Sequence, residues 1–351
     1  MRKAAFYSVV FLAVIFSLAG ITPMAAAKTY TITFSTWRPP NDLTSVGWIE
    51  AMGKEFEKRS NGQIQFKAYY AGALGGPRDH FTIVKDGLAD MADFAGSWMP
   101  GKFNLSEVAN LPMTAERSQN VIKAMNMLRE KGYFDKEWGE VELLAFCGIA
   151  PYDLTFRKVQ PMTMAELKGL KCRTPGGFIS DYLENLGMIP VKVLPSDAYM
   201  SWQTGVVDAW VHPTGVVLKY KFFELPTKSI LDCNLQVFGN AALIMNKKKF
   251  ASLPPDLQKM IREVGNEYAT VMADISYKED EDALVAAKKV GIVVYRMPDE
   301  EMKKIKDAGL PIWDKYVNDL EAKGLPAKEV AIEFTNALRS LGENPPYPAK
   351  K

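Results

Sequence analysis

Apolar and polar side chains alternate over residues 29–34 (TYTITF), the two-residue period of a strand with one buried face. Polar and proline residues follow as far as Asp42. From Thr44 to Arg59 the period lengthens, and Val46, Ile49, Met52 and Phe56 share one helical face that Ser60-Asn61-Gly62 terminates. Gln63 to Tyr69 alternates again. The glycine-rich turn 72–76 leads into a helix ending near Gly87, and Ala89 to Gly96 reads as another short strand. This βαβα rhythm predicts helices covering a sheet. Val141 to Ala150 is an apolar strand, and Asp153 to Arg157 carries the chain into a second lobe. There the rhythm resumes: a helix at 164–167, a strand at 171–174, a helix over 179–186 opened by Gly176-Gly177, a strand at 190–194, a helix at 196–204 and a strand at 206–211. Phe238 to Asn246 reads as a strand returning to the first lobe. After Pro254-Pro255 a helical pattern runs from Asp256 to about Val290, with Leu257, Ile261, Val264, Tyr268, Met272 and Ile275 near one face and Gly265 as its weak point. At about 1.5 Å per residue such a helix approaches roughly 50 Å, longer than one lobe, so it crosses between lobes or bends at their boundary. Ile292 to Tyr295 is a last strand, followed by two amphipathic helices and a polar tail from Pro345.

The first residues set the address. Arg2 and Lys3 precede an uncharged apolar run, Ala4 to Ile21, and Ala25-Ala26-Ala27 offers small residues to a signal peptidase. The run is long enough to be a retained anchor, but the cleavage site is well placed and no basic stop-transfer flank follows. Residues 1–27 are therefore expected to be a cleaved signal peptide. The protein is then periplasmic, with no stable membrane insertion after cleavage. The mature chain carries 41 basic and 41 acidic residues, so no global charge draws it to nucleic acid or an anionic membrane. Roughly 320 residues suit two lobes better than one core. Cys147, Cys172 and Cys233 have neither metal-site nor CxxC spacing, and each lies in or beside an apolar run, as buried thiols do.

Catalytic signatures are missing. His80 and His212 are the only histidines and lie far apart. No HExxH, CxxC, GxSxG, SxxK or phosphate-loop motif occurs, and the glycines at 72–76 lack a following Lys-Ser/Thr. The chain calls for no cofactor and no metal. A carboxylate pair assembled only in space leaves a secreted lyase as a rival reading.

The most distinctive stretch is Leu167 to Pro213, with LKGLKCRTPGG and then YMSWQTGVVDAWVHP. FSTW, SNGQIQFKAYYAGALGG, KDGLADM and ANLPM precede it, and KKKFASLPPDLQKMI follows. With these motifs the chain resembles the solute-binding proteins of tripartite ATP-independent periplasmic (TRAP) transporters over most of its mature length. The resemblance implies an α/β, two-lobed periplasmic-binding-protein fold (type II-like), with a long helix crossing both lobes. It places lobe I at 28–150 plus 238–278 and lobe II at 151–237 plus 279–351. It implies capture of a small organic acid between the lobes, closure by a hinge, and presentation to the small and large membrane subunits. That is binding, not catalysis. The same fold serving a sensor, or an ATP-driven transporter's binding protein, are the other rivals.

The resemblance also implies site residues. Arg173 matches the arginine that grips the ligand carboxylate; a guanidinium meets a carboxylate with two parallel hydrogen bonds. Its alternative is a structural salt bridge with a neighbouring acid. Where sialic-acid-binding members place a second arginine, this chain has Asp153 beside Tyr152. A second clamp is thus absent there, which favours a monocarboxylate or sulfonate over a dicarboxylate. Asp153 would accept a bond from a ligand hydroxyl or amine. His212 stands where the family has asparagine, and Trp210 lies on the same strand face. Trp37 and Trp98 fall at cleft positions and would form an apolar wall. Phe238 and Asn240 are further candidates on the returning strand. A pocket lined by Tyr, Trp and His suits a hydroxy-acid, oxo-acid or aromatic acid.

Overall fold

The computed structural model describes residues 28–347, so the expected signal peptide lies outside the described residues. Eleven strands form two mixed sheets. The first contains β1 (Tyr30–Ser35), β2 (Ile64–Tyr69), β3 (Met91–Phe94), β4 (Glu142–Pro151) and β10 (Phe238–Met245), in the order β2-β1-β3-β10-β4. The second contains β5 (Asp153–Phe156), β6 (Lys171–Thr174), β7 (Ile189–Lys192), β8 (Ala209–His212), β9 (Ser229–Leu231) and β11 (Val293–Tyr295), in the order β11-β9-β5-β8-β6-β7. In each sheet the strands joined through helices pair in parallel. The strands that bridge the sheets, β4, β5 and β10, run antiparallel to their neighbours. This is the α/β, two-lobed arrangement that the sequence pattern predicts.

The chain crosses between the sheets at Tyr152 and again at residues 232–237. The two crossings are tied together: the Tyr152 N–H donates to the Val237 carbonyl (3.0 Å), and the Leu235 N–H donates to the Tyr152 carbonyl (2.9 Å). The third crossing is the helix Pro255–Lys289, unbroken over 35 residues. Its first half buries Leu257, Ile261, Val264 and Met272 in the first core, while Ala287 packs with Val217, Phe222 and Ile230 in the second. The helix thus crosses between the two cores. A Cβ at Gly265 would meet Leu243 and Leu144 at ordinary contact distance, so no steric need holds glycine there.

The C-terminus departs from expectation. Three helices follow β11, not two: Asp299–Asp307, Leu310–Glu321 and Ala327–Ser340. The first of these ends at Ala308, and Gly309 and Pro311 open the next, splitting a single amphipathic stretch. These helices touch residues of both segments that the resemblance assigns to separate lobes. Trp313 donates to the Pro112 carbonyl and Tyr316 to the Leu105 carbonyl, both at 2.8 Å, while Tyr316 also packs edge-on against Phe178. Lys131 and Tyr133, just past the helix Ser118–Glu130, bond Glu333 and Glu329 of the last helix. The C-terminal helices therefore span the back of both sheets, because their apolar faces complete a buried cluster running through both.

Candidate ligand-binding site

A cavity of about 100 Å³ lies between the sheets, bounded by the ends of β1, β3, β6 and β8, by the Tyr152 crossing and by the long helix. Arg173 enters it from β6, between Val191 of β7 and Trp210 of β8. The chain then turns sharply at Gly176 (φ 113°) and Gly177 (φ 63°), conformations that glycine adopts without the Cβ penalty. Arg173 is only 2% exposed. Its Nε donates to the Val193 carbonyl at 2.9 Å, and the guanidinium carbon sits 4.8 Å from the Trp210 ring centroid. Nη1 is buried with no partner, and among the described residues no carboxylate lies within ion-pair distance of the group. Burial pulls its pKa down, with nearby Tyr220 and Tyr152 opposing. A guanidinium still remains charged, so the cavity holds a desolvated cation without a counter-ion.

Two rings stand beside it. Tyr152 stacks on His212 with centroids 5.3 Å apart and planes 19° apart. The Tyr152 phenol is pushed up to about 12, chiefly by burial. Burial holds His212 well below its usual pKa, reinforced by the charges of Arg173, Lys219 and Arg38, so the imidazole is neutral. Its Nδ1 is buried without a partner. Trp37 and Trp98 meet edge to face (6.1 Å, 78°) and form an apolar wall.

A second group of charges faces the cavity away from Arg173. Arg38, 7% exposed, bonds Asp93 through Nε at 3.2 Å. Lys219, on the short helix Val216–Lys219 after β8, pairs with Asp42, in the loop after β1. That pair joins the two lobes across the cleft. Glu279 projects from the long helix, and burial raises its pKa despite Lys219.

Of the residues singled out from sequence, Arg173, Tyr152, His212, Trp37 and Trp98 line this one cavity. Three others do not. Trp210 is 1% exposed and packs with Trp202, Phe222 and Tyr220, touching the cavity only through the guanidinium that rests on it. Asp153 follows Tyr152 in extended chain and points the opposite way. Its Oδ1 accepts from the Cys233 and Asn234 N–H groups (3.0 and 2.9 Å), and its Oδ2 accepts from the Thr214 hydroxyl (3.0 Å). That carboxylate is engaged by three donors at the crossing between the sheets and does not line the cavity. Phe238 is buried in the core, and the positions of β10 that reach the cavity are Gly239 and Ala241. Asn240 pairs through its backbone with Gly148, but its side chain lies outside the described residues. Arg38, Lys219, Tyr220 and Glu279 have no motif of their own in the sequence, and only folding reveals that they face the cavity. The three cysteines are buried free thiols.

The chain matches the bacterial extracellular solute-binding protein family 7 over residues 34–319. It is 26% identical over 282 residues to the C4-dicarboxylate-binding periplasmic protein of Rhodobacter capsulatus, covering 78% of this chain and 83% of that one. It is 22% identical over 267 residues to the 2,3-diketo-L-gulonate-binding periplasmic protein of Escherichia coli, covering 75% and 80%. Among solved structures, a TRAP solute-binding protein from Rhodoferax ferrireducens in complex with copurified benzoate superposes with a TM-score of 0.80 at 24% identity, over 90% of this chain and 99% of that one. With the family's match running from β1 into the helix Leu310–Glu321, the chain belongs to the extracellular solute-binding proteins of family 7, whose members bind solutes for TRAP transporters and are not enzymes.

Proposed function

We propose that the protein captures a small monocarboxylate or sulfonate in the interlobe cavity, with Arg173 as the anion anchor, and delivers it to the TRAP membrane subunits from the periplasm. The observation that carries this reading is the absence of a counter-ion for Arg173. Burying an unpaired cation is costly, and a fold bears that cost where a bound anion relieves it. In a dry site the guanidinium presents its donors to the anion in a planar fork. Tyr152 and neutral His212 supply hydrogen-bonding groups beside it, and the Trp37–Trp98 wall suits an aromatic or otherwise apolar body. Benzoate and the two mandelate enantiomers, bound by structural neighbours, have that shape.

The lobes then correspond to the two sheets, with 28–150 and 238–278 in the first and 151–237 with β11 in the second. The hinge runs through Tyr152 and residues 232–237. The mature protein begins near Lys28, after removal of residues 1–27. Thermal-shift screening against aromatic, hydroxy- and oxo-acids tests the reading. A monocarboxylate or sulfonate at a hundred times its dissociation constant adds about 2.7 kcal/mol of stability. If only cations or uncharged solutes stabilised the protein, the assignment would fail.

A further inference from the structure

The cavity is faced by two groups of charges. In the first, Arg173 lies beside Tyr152 and Tyr220, while Tyr220 and neutral His212 also feel the charges of the second. In the second are two cations and three carboxylates: Arg38 paired with Asp93, Lys219 paired with Asp42, and Glu279. Asp42 does not itself line the cavity, and the lining member of this group left unpaired is Glu279, which has no hydrogen bond or ion pair among the described residues. Its carboxylate interacts at longer range with Lys219, Asp42 and Arg38 and not with Arg173.

Glu279 is also held in place. Met272, Ser276 and Glu279 follow one another along one face of the long helix at helical spacing, and all three line the cavity. The helix approaches the second lobe closely at this point. A Cβ on Gly215 would lie 2.8 Å from the Cβ of Glu279, so only glycine admits the contact. The Gly215 N–H donates to Asp280 at 2.7 Å and fixes the helix there. The backbone and Cβ of Glu279 are therefore fixed at the cavity wall, which its side chain lines.

We propose that Glu279 sets ligand specificity: it admits an acid whose far end carries a hydrogen-bond donor, such as a hydroxyl or amine, and rejects one carrying a second carboxylate. This rests on Arg173 as the anion anchor. An anion held there that reaches across the cavity meets Glu279, a carboxylate with no pairing partner among the described residues. A distal hydroxyl or amine donates to that acceptor. A distal carboxylate meets like charge at low dielectric, a juxtaposition that discriminates strongly between partners.

The test is calorimetric titration of the full mature protein with two series of probes. One is benzoate, unsubstituted or with a hydroxyl, amine or carboxylate at carbon 3 or 4. The other is the linear four- to six-carbon acids in unsubstituted, terminal-hydroxy and dicarboxylate forms. The wild type is expected to prefer the hydroxy or amino member of a series over its dicarboxylate by roughly 10-fold or more. Glu279→Gln, isosteric but uncharged, should reduce that preference by at least about 10-fold, mainly by improving dicarboxylate binding. Glu279→Ala should remove the gain from the distal donor. A wild type that binds a dicarboxylate as tightly as its hydroxy counterpart, or a ratio unchanged in Glu279→Gln, overturns the inference. Arg173→Met separates the two claims. If it abolishes binding while the Glu279 ratios do not move, specificity lies elsewhere and the anchor stands. If it binds like wild type, or no probe binds the wild type, the anchor assignment itself falls.

Discussion

Replacing Arg173 with methionine should leave the unliganded protein almost as stable as before while removing most of its response to ligand. The substitution keeps an unbranched stem over Trp210 and deletes the charge. The apo state loses one charge-assisted hydrogen bond to the Val193 carbonyl, about 1.5–3 kcal/mol, and a desolvated cation–π contact of about 2 kcal/mol. Against this it is relieved of burying a cation with no counter-ion, an effective penalty of several kcal/mol. The terms nearly cancel. Over the roughly 320 described residues the unfolding entropy near 60 °C is about 0.7 kcal/mol/K, so even an imbalance of about 2 kcal/mol moves the apo Tm by only about 3 °C. Ligand at a hundred times Kd adds about 2.7 kcal/mol to the wild type, an upward shift of about 4 °C. Loss of a buried hydrogen-bonded charge partner weakens binding by roughly 2–5 kcal/mol, or from about 30-fold to several-thousand-fold. At the same ligand concentration the variant then gains at most about 0.9 kcal/mol, a shift near 1 °C. Differential scanning fluorimetry with and without the acid reads both numbers. An apo Tm lowered by more than about 5 °C with the ligand shift intact would show Arg173 to be structural, and the reasoning from its missing counter-ion would be wrong.

Other outcomes follow from the same geometry. Lys219→Met removes the ion pair that joins the lobes through Asp42, so stopped-flow tryptophan fluorescence, reported by Trp37 and Trp98, should show faster ligand release with little change in association. Trp210→Leu removes the ring behind Arg173 without touching the cavity, so it should weaken binding several-fold and also lower the apo Tm by leaving a void beside Trp202 and Phe222. His212 is held neutral, so affinity should not vary between pH 6 and 8; an affinity that rises on acidification through that range would place a charged imidazole on the ligand. Asp153 is pushed up to about 7, chiefly by burial, against about 4 in an unfolded chain. The folded state therefore holds the extra proton between those values, and stability falls as pH rises from about 4 to about 7. Asp153→Asn keeps an acceptor for the Cys233 and Asn234 N–H groups. It should flatten that slope in melts at pH 5.5 and 8 and leave ligand affinity unchanged.

The strands and the long helix are legible because each carries an unambiguous period. Thr29 to Phe34 alternates over one buried face, and Leu257 to Met272 repeats at helical spacing against a single core. The helix Ser118–Glu130 has as clear a stripe in Val121, Ile122, Met125 and Leu128, yet the pattern reading leaves residues 97–140 without elements. β9 is only three residues long, too short to show any period, and becomes a strand because β5 and β11 pair on either side of it. The course of the C-terminal helices has the same cause. Amphipathicity says that Trp313 and Tyr316 are buried, but not that the carbonyls of Pro112 and Leu105, some two hundred residues earlier, receive their polar ends.

The site divides along a similar line. A motif can mark Arg173, Tyr152 and His212, but whether a charge is free or satisfied depends on what the fold brings beside it. Asp153 looks available in sequence and is engaged by two N–H groups and a hydroxyl at the crossing between the sheets. Arg38 has no motif of its own and is spoken for by Asp93, 55 residues away. Arg173 and Glu279 are the two cavity charges left without an ion-pair partner among the described residues, and they have opposite sign and lie in different groups of charges. A ligand that satisfies both must be negative at one end and a donor at the other. On the proposed reading, recognition rests on the remainder after the internal pairings are made, a quantity that only the folded chain defines.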